Sequence, residues 1–178
     1  MSPSKFVLDV DGVLTDGGFY YDQTGQKALK RFGPDDADAL KLLSQFFDIV
    51  FVSADKRGFP ISSSRVHHLG FSIFNVSSDE RLGWISDRYD LNDVVYMGDG
   101  FYDARILNSV RYGITTSDSC YTCRISSEYI TNSSGSFRAV SEASLHLLHK
   151  FYPNGFEFYC SNNNLNSSQV RKLIDFLT

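Results

Sequence analysis

Two acidic pairs in the chain have a spacing that can do chemistry. Asp9 and Asp11 directly follow one short apolar run, and Asp99 and Asp103 follow another beside two glycines. Carboxylates that are brought together repel one another, which raises their pKa values unless a cation shares the site. Oxygen ligands suit Mg²⁺, which keeps several waters and also accepts phosphate oxygens of a substrate. The pattern therefore predicts a magnesium-dependent phosphoryl-transfer centre.

The elements that would carry these residues alternate between apolar runs and amphipathic stretches, which is typical of a parallel sheet with crossover helices. The predicted strands cover residues 6–8, 49–52, 71–74, 94–97, 112–115 and 129–131, and the predicted helices cover residues 36–47, 63–69, 79–89, 104–110, 140–149 and 170–177. We therefore expect an α/β fold with a Rossmann-like, doubly wound parallel sheet. Ligands bind beyond the carboxyl ends of such strands, and Asp9, Ser53 and Asp99 follow three of them.

One insertion interrupts this alternation. Residues 18–32 combine an aromatic flank, a polar turn at Gly25 and a second apolar segment, which predicts a projecting β-hairpin after the first strand. An isolated two-stranded hairpin is only marginally stable in water, so we expect a subunit contact to cover its aromatic side chains. These side chains are Phe19, Tyr20, Tyr21 and Phe32. No other insertion is long enough to form a cap domain.

Composition argues against several classes of protein. The 178 residues are 42% hydrophobic and 21% charged with a net charge of −4, unlike a disordered chain or a nucleic-acid-binding protein. No apolar run approaches the ~18–20 residues of a membrane-spanning helix, and the amino terminus does not resemble a secretory signal. We therefore expect a cytoplasmic protein with one domain over residues 1–150. A tail over residues 151–178 is expected to be irregular up to residue 168 and to end in a short helix.

The three cysteines are too few for a disulfide framework. Cys120 and Cys123 have the spacing of a redox motif or of half a zinc site, but a structural zinc site needs a second pair. The remaining cysteine, Cys160, lies far downstream. We favour ordinary packing roles for all three, and redox or metal chemistry stays open as the alternative.

The motifs resemble those of the haloacid dehalogenase superfamily in its phosphatase form. Residues 9–17, Asp-Val-Asp-Gly-Val-Leu-Thr-Asp-Gly, match the first motif, and Ser53 matches the second. Arg81 matches the third, and residues 98–103, Gly-Asp-Gly-Phe-Tyr-Asp, match the fourth, with order and spacing in agreement over residues 5–143. The first motif and the hairpin are similar to the capless phosphatases of 3-deoxy-D-manno-octulosonate 8-phosphate and to those of nine-carbon sialic-acid-type 9-phosphates.

The resemblance implies a role for each matched residue. Asp9 would be the nucleophile that forms an aspartyl-phosphate, and Asp11 would protonate the leaving group and then activate water. Ser53 would bind a phosphoryl oxygen, and Arg81, where near relatives carry Lys, would balance negative charge.

The resemblance also implies a set of metal ligands. Mg²⁺ would be held by the carboxylates of Asp9 and Asp99 and by the backbone carbonyl of Asp11. Asp103 would support these ligands without touching the metal.

Contacts to the rest of the substrate are expected from two loops. Backbone N–H groups near Gly12 and Ala54 would complete a phosphate cradle. Lys56 and Arg57 would bind a sugar carboxylate, although surface cations of a loop would explain them equally well. Asp55 departs from the relatives, which carry a cation beside the pocket.

The implied function is a Mg²⁺-dependent phosphatase acting on an acidic keto-sugar phosphate of eight or nine carbons, in lipopolysaccharide or sialic acid synthesis. The relatives imply a homotetramer built through the hairpin, with no nucleic-acid or membrane partner. One alternative is a catalytically degenerate member that serves as a binding or regulatory subunit. A receiver-type signalling domain is disfavoured, because its phosphorylated Asp follows the third strand rather than the first.

Overall fold

The computed structural model describes residues 2–178. The strands are β1 (Lys5–Asp9), β2 (Tyr20–Tyr21), β3 (Lys27–Leu29), β4 (Asp48–Ser53), β5 (Ser72–Asn75), β6 (Val94–Met97), β7 (Tyr112–Thr115) and β8 (Tyr129–Ile130). The helices are α1 (Asp36–Leu43), α2 (Phe59–His68), α3 (Arg81–Ser86), α4 (Ala104–Leu107), α5 (Tyr121–Ser126), α6 (Ala139–Phe151), α7 (Pro153–Asn162) and α8 (Ser167–Leu177). None of these helices has the length and hydropathy that a membrane crossing requires.

Six strands form one parallel sheet in the order β5-β4-β1-β6-β7-β8, and β2 and β3 form a separate antiparallel hairpin. The order reverses at β1, which pairs with β4 on one side and with β6 on the other. A ligand site is expected at such a reversal, beyond the carboxyl end of β1. The predicted α/β fold, with a hairpin insertion and no cap domain, is confirmed.

Strand β1 separates two apolar cores. Successive side chains of a strand point to opposite faces, so Phe6 and Leu8 pack into one core and Val7 packs into the other. The first core lies against α1, α2 and α6, and the second lies against α3, α4 and α5. Burial of each such side chain contributes roughly 1.5–3 kcal/mol. Asp9 continues the alternation and therefore lies on the side of α3, α4 and α5.

The hairpin exposes most of its apolar side chains. The exposed ones are Phe19, Tyr20, Tyr21 and Leu29. Phe32 departs from the expectation, because it is partly buried against the first core of its own chain. A bridge between Phe32 and Thr15 turns the segment back towards the sheet. Phe32 is thus partly covered by its own chain, and the expectation that a second subunit covers the remainder stays a prediction.

The expectation of an irregular tail up to residue 168 is also wrong. Helix α7 buries Phe156 and Cys160, which lie four residues apart on one face, and α8 buries Leu177. Pro153 is compatible with this helix, because a proline in the first turn removes only an N–H that has no helical partner. Both helices pack against the first core. The division of the chain at residue 150 stays a prediction.

Candidate active site

Asp9 ends the central strand, and both of its carboxylate oxygens are hydrogen bonded. Oδ1 accepts from the backbone N–H of Val10 at 2.7 Å, and Oδ2 accepts from Nη1 of Arg81 at 2.7 Å. Asp9 is 7% exposed. The carboxylate is thus held in one orientation at the edge of the sheet where a ligand is expected.

Arg81 is the centre of a buried network. It opens α3, and its Nη1 also donates to the hydroxyl of Tyr96 at 2.9 Å and to Oδ1 of Asp103 at 3.1 Å. The Tyr96 hydroxyl in turn donates to Asp103 Oδ1 at 2.7 Å. Burial alone would lower the pKa of Arg81, but Asp9, Tyr96 and Asp103 outweigh it and raise this pKa. The guanidinium therefore stays charged and fixes Asp9 in place.

Asp99 completes a cluster of acidic side chains. Ligand oxygens of Asp9, Asp99 and Asp103 all lie within 4.8 Å of one another. Both oxygens of Asp103 already have donors, since Oδ2 accepts from the backbone N–H of Gly100 at 2.9 Å. Gly12 leaves room for Asp99, because a Cβ at this position would lie 2.0 Å from Asp99 Oδ2. The φ of Gly12, +86°, is also in the left-handed region that favours glycine. Both oxygens of Asp9 have donors as well, so these bonds do not separate Asp9 from Asp103, and the assignment of Asp9 and Asp99 as the metal ligands stays a prediction.

This clustering changes the pKa values of the carboxyl groups. Burial, followed by repulsion from Asp9 and Asp103, raises the pKa of Asp99 to about 9. Burial also raises the pKa of Asp9 to about 6, although Arg81 opposes the shift. Such groups either bind protons at neutral pH or share a cation. The oxygen donors and their uncompensated negative charge fit Mg²⁺.

Asp11 belongs to a second cluster, which contains lysines. Its Oδ2 accepts from the hydroxyl of Ser53 at 2.8 Å, and its Oδ1 accepts from Nζ of Lys30 at 2.5 Å. Lys30 Nζ also lies 2.8 Å from Ser62 Oγ and 2.8 Å from Asp55 Oδ2. The Lys30 side chain is only 2% exposed. Its charge is therefore stabilised by these partners rather than by water.

Asp55 holds both lysines of the hairpin. Its Oδ2 lies 2.6 Å from Nζ of Lys27, in addition to its contact with Lys30, and its Oδ1 accepts from the backbone N–H of Gly58 at 3.0 Å. Burial alone would raise the pKa of Asp55, but the bonds from Lys27 and Lys30 outweigh burial and lower it to about 2. The positive charge beside the site thus comes from β3 and the residue after it.

Two of the expected phosphate contacts have other partners in this structure. Ser53 ends β4, but its hydroxyl donates to Asp11 and cannot donate to a phosphoryl oxygen at the same time. The backbone N–H of Gly12 donates to Oγ1 of Thr15 at 3.2 Å. A bound phosphate would have to replace these bonds.

The loop after β4 exposes both of its cations. Ala54 is half-buried beside Ser53, whereas Lys56 and Arg57 are exposed and form no ion pair within residues 2–178. Neither Lys27 nor Lys30 was singled out in the sequence. Two features of the sequence could have identified them. Both lysines lie on the predicted hairpin, and Asp55, expected beside the pocket, had no cationic partner assigned to it.

Comparison with known proteins gives one short sequence alignment and several structural alignments over most of the chain. No protein-family model matches the sequence. The 3-deoxy-D-manno-octulosonate 8-phosphate phosphatase of Haemophilus influenzae is 40% identical over 78 residues. This alignment spans 43% of the present chain and 42% of the length of that relative, which is less than half of either.

Solved structures align over most of the chain. The 3-deoxy-D-manno-octulosonate 8-phosphate phosphatase of Moraxella catarrhalis, determined with magnesium, phosphate and KDO, has a TM-score of 0.79 and 25% identity over 90% of this chain and 92% of that one. A probable YrbI-family phosphatase of Pseudomonas syringae has a TM-score of 0.77 and 24% identity over 89% and 93%. The cobalt-bound phosphatase of Haemophilus influenzae has a TM-score of 0.72 and 24% identity over 86% and 96%. The chain therefore has the haloacid dehalogenase fold and resembles the 3-deoxy-D-manno-octulosonate 8-phosphate phosphatases in sequence as well as in structure.

Proposed function

We propose that the protein is a magnesium-dependent phosphatase that hydrolyses a phosphomonoester of an acidic keto-sugar with eight or nine carbons. The observation that carries this proposal is the cluster of Asp9, Asp99 and Asp103 within 4.8 Å, anchored by Arg81. The similarity to a phosphatase whose structure contains magnesium, phosphate and KDO supports the same chemistry. We place the reaction in the cytoplasm, in the synthesis of cell-surface glycan precursors.

The metal ligands in this proposal are Asp9, Asp99 and the backbone carbonyl of Asp11, with Asp103 as their support. Bound there, Mg²⁺ lowers the repulsion between an anionic carboxylate and an anionic phosphate. Arg81 contributes a second, permanent positive charge and keeps Asp9 oriented.

Asp9 acts as the nucleophile in this mechanism. Its carboxylate attacks phosphorus, the bond from phosphorus to the sugar oxygen breaks, and an aspartyl-phosphate forms. Asp11 donates a proton to the leaving sugar oxygen and then takes a proton from the water that hydrolyses the aspartyl-phosphate. Ser53 and Lys30 donate to the two oxygens of Asp11, so the carboxylate is oriented before the substrate arrives. To act as an acid, Asp11 takes up a proton from solvent when substrate binding displaces one of these donors.

Ser53 and the backbone groups near Gly12 and Ala54 bind the phosphoryl oxygens in this proposal. Ser53 turns from Asp11 to a phosphoryl oxygen when the substrate binds. Lys56 and Arg57 are exposed, and they are free to meet the sugar carboxylate.

The proposal is tested by phosphate release from p-nitrophenyl phosphate with Mg²⁺, and then from a panel of keto-acid phosphates and hexose phosphates. We expect Asp9→Asn to lower the rate by at least about 10³-fold, as loss of a nucleophile does. The exposed Asp87→Asn is the matched control and should retain the wild-type rate. If the wild-type protein releases no phosphate from any substrate, the protein is a binding subunit rather than an enzyme. If hexose phosphates react fastest, the acidic-sugar assignment fails while the phosphatase assignment stands.

We also propose a homotetramer that is built through the hairpin. Phe19 is 70% exposed, Tyr21 53% and Leu29 65%. An exposed group of large apolar side chains on a small hairpin is typical of a protein–protein interface. Analytical ultracentrifugation should give four times the chain mass for the wild type and a smaller species for a Phe19→Ser, Tyr21→Ser double variant. A monomeric wild type would exclude this assembly without affecting the chemistry.

A further inference from the structure

Two cysteines lie beside the loop that carries Asp99 and have no role in the proposed phosphatase reaction. Cys120 precedes α5 and Cys123 lies within it, and their Sγ atoms are 3.3 Å apart. A disulfide needs a separation of about 2.05 Å, so the two sulfurs already lie in contact and have to move closer by only about 1.2 Å. We infer that Cys120 and Cys123 form a reversible thiol–disulfide site that reacts with low-molecular-weight disulfides.

Burial gives the two cysteines different access to a reagent. Cys120 is partly exposed, whereas Cys123 is fully buried. A small disulfide therefore reaches Cys120 first, and Cys123 is placed to resolve the product. Cys160 is buried within the other core and takes no part.

Metal binding explains the pair less well than redox chemistry. A structural zinc site uses four ligands. Within residues 2–178, the group of three ligating side chains in mutual reach is the acidic cluster of the active site, and it contains neither cysteine. The two sulfurs thus lack the further ligands that zinc requires.

The reaction balances as two thiol–disulfide exchanges. The Cys120 thiolate attacks one sulfur of the reagent, whose S–S bond breaks and releases one thiol. The Cys123 thiolate then attacks Cys120 Sγ and releases the second thiol. The protein loses two electrons and two protons, and the reagent gains them as two thiols. A reducing thiol reverses both steps.

Oxidation would remove a hydrogen bond from the metal-binding loop, a consequence that rests on the proposed function. The thiol of Cys123 donates to the carbonyl of Gly100 at 3.0 Å, and the backbone N–H of Cys120 donates to the carbonyl of Asp99 at 3.0 Å. A disulfide carries no S–H, so the Gly100 carbonyl loses one of its two donors and keeps the backbone N–H of Asp103 at 3.0 Å. The Gly100 N–H also stays bound to Asp103, so the loop keeps its bonds to Asp103 and loses its bond to the side chain of Cys123. We expect Mg²⁺ binding to weaken about five-fold, as for the loss of one hydrogen bond.

The site is tested by incubating the full-length protein in buffers of reduced and oxidised glutathione, trapping free thiols and measuring the mass. We expect oxidised wild type to lose two hydrogens and to keep one trappable thiol, on Cys160. Cys123→Ser should stop at a glutathione adduct on Cys120, and Cys120→Ser should form no disulfide. Cys160→Ser is the matched control and should form the disulfide as the wild type does. Failure of the wild type to form it in excess oxidised glutathione overturns the site.

The coupling to the metal is tested by titrating Mg²⁺ into reduced and oxidised protein in a calorimeter. We expect the weaker binding of the oxidised form to be restored by dithiothreitol, and Cys120→Ser to bind Mg²⁺ equally before and after glutathione treatment. Equal affinities of oxidised and reduced wild type would overturn the coupling. If the reduced protein binds no Mg²⁺ although the disulfide forms, the proposed function fails and the thiol–disulfide site stands.

Discussion

Two clusters of charge lie at the same edge of the sheet and differ in electrostatic balance, because one has an excess of carboxylates and the other has as many cations as carboxylates. The acidic cluster consists of Asp9, Asp99 and Asp103 with Arg81, and the lysine cluster consists of Asp11 and Asp55 with Lys27 and Lys30. The pKa of Asp99 is raised to about 9, whereas the pKa of Asp55 is lowered to about 2. The pKa of the same type of side chain thus shifts in opposite directions a few residues beyond the ends of β4 and β6, the two strands that flank β1.

The difference lies in how many cations the protein supplies. In the lysine cluster each carboxylate has a lysine partner, so folding alone completes it. In the acidic cluster one guanidinium faces three carboxylates, and the remaining repulsion is relieved only by protons or by a cation from solution. A site that is to bind a metal ion has to be left short of positive charge, whereas carboxylates that already have lysine partners need no further cation.

Removal of Arg81 should have the largest effect on stability. Asp9 and Asp103 are both nearly fully buried and would lose their shared cation. We expect Arg81→Ala to lower the free energy of unfolding by about 3–5 kcal/mol, the usual cost of breaking a buried pair. Urea denaturation measures this change. The exposed Arg171→Ala is the control and should stay within about 0.5 kcal/mol of the wild type, and equal losses in both variants would contradict the network.

Addition of Mg²⁺ should stabilise the acidic cluster and leave the lysine cluster unaffected. At a hundred times its Kd, Mg²⁺ should raise the free energy of unfolding by about 2.7 kcal/mol. Asp99→Asn should abolish this gain, and Asp55→Asn should retain it. Thermal unfolding with and without the metal measures both variants. A gain that survives in Asp99→Asn would place the ion elsewhere.

In the metal-free protein, Asp99 should make the free energy of unfolding depend on pH in one direction. Its pKa is about 9 in the folded state against an ordinary value of 3.8, so the folded protein binds more protons between these values. Stability should therefore fall as pH rises from 4 to 9, and this slope should be smaller in Asp99→Asn.

The effect of acid on the lysine cluster should be the smallest of these effects. The contribution of Asp55 to stability should rise with pH, whereas that of Asp99 falls. Asp55 has a folded pKa of about 2 against 3.8, so the unfolded chain binds more protons between these values. Its contribution, about 2 kcal/mol, is complete above pH 4 and is lost as pH falls through 2. Wild type should thus lose more stability in acid than Asp55→Asn does. The exposed Asp175→Asn should follow the wild type, and identical profiles for wild type and Asp55→Asn would refute the assignment.

The sheet and the acidic residues could be predicted because they depend on local sequence. An unbroken apolar run such as residues 94–97 suits a strand that is buried on both faces. Asp9 directly follows such a run and Asp99 follows another after Gly98, so the strands determine their position at the sheet edge. Helix α5 has no such signal, since it is short and buries only Cys123.

The partners within the site could not be predicted, because they meet only through tertiary structure. Tyr96 lies inside an apolar run and has the pattern of a core residue, but its hydroxyl binds Arg81 and Asp103. Lys30 has the pattern of an exposed hairpin residue, but it is 2% exposed and binds Asp11, 19 positions away. The sequence shows the charge of such residues and not the direction in which they point.

The alternation of side chains along β1 has a consequence for how the chain tolerates change. Deletion of one residue between Lys5 and Asp9 would exchange the two faces of the strand, sending the Asp9 carboxylate into one apolar core and an aliphatic side chain towards Arg81. Folding and chemistry would fail together. The turn at Gly25 touches neither core, and a Cβ there would meet no atom within 4 Å. Insertions should therefore accumulate in the hairpin tip, while the length of the central strand stays fixed.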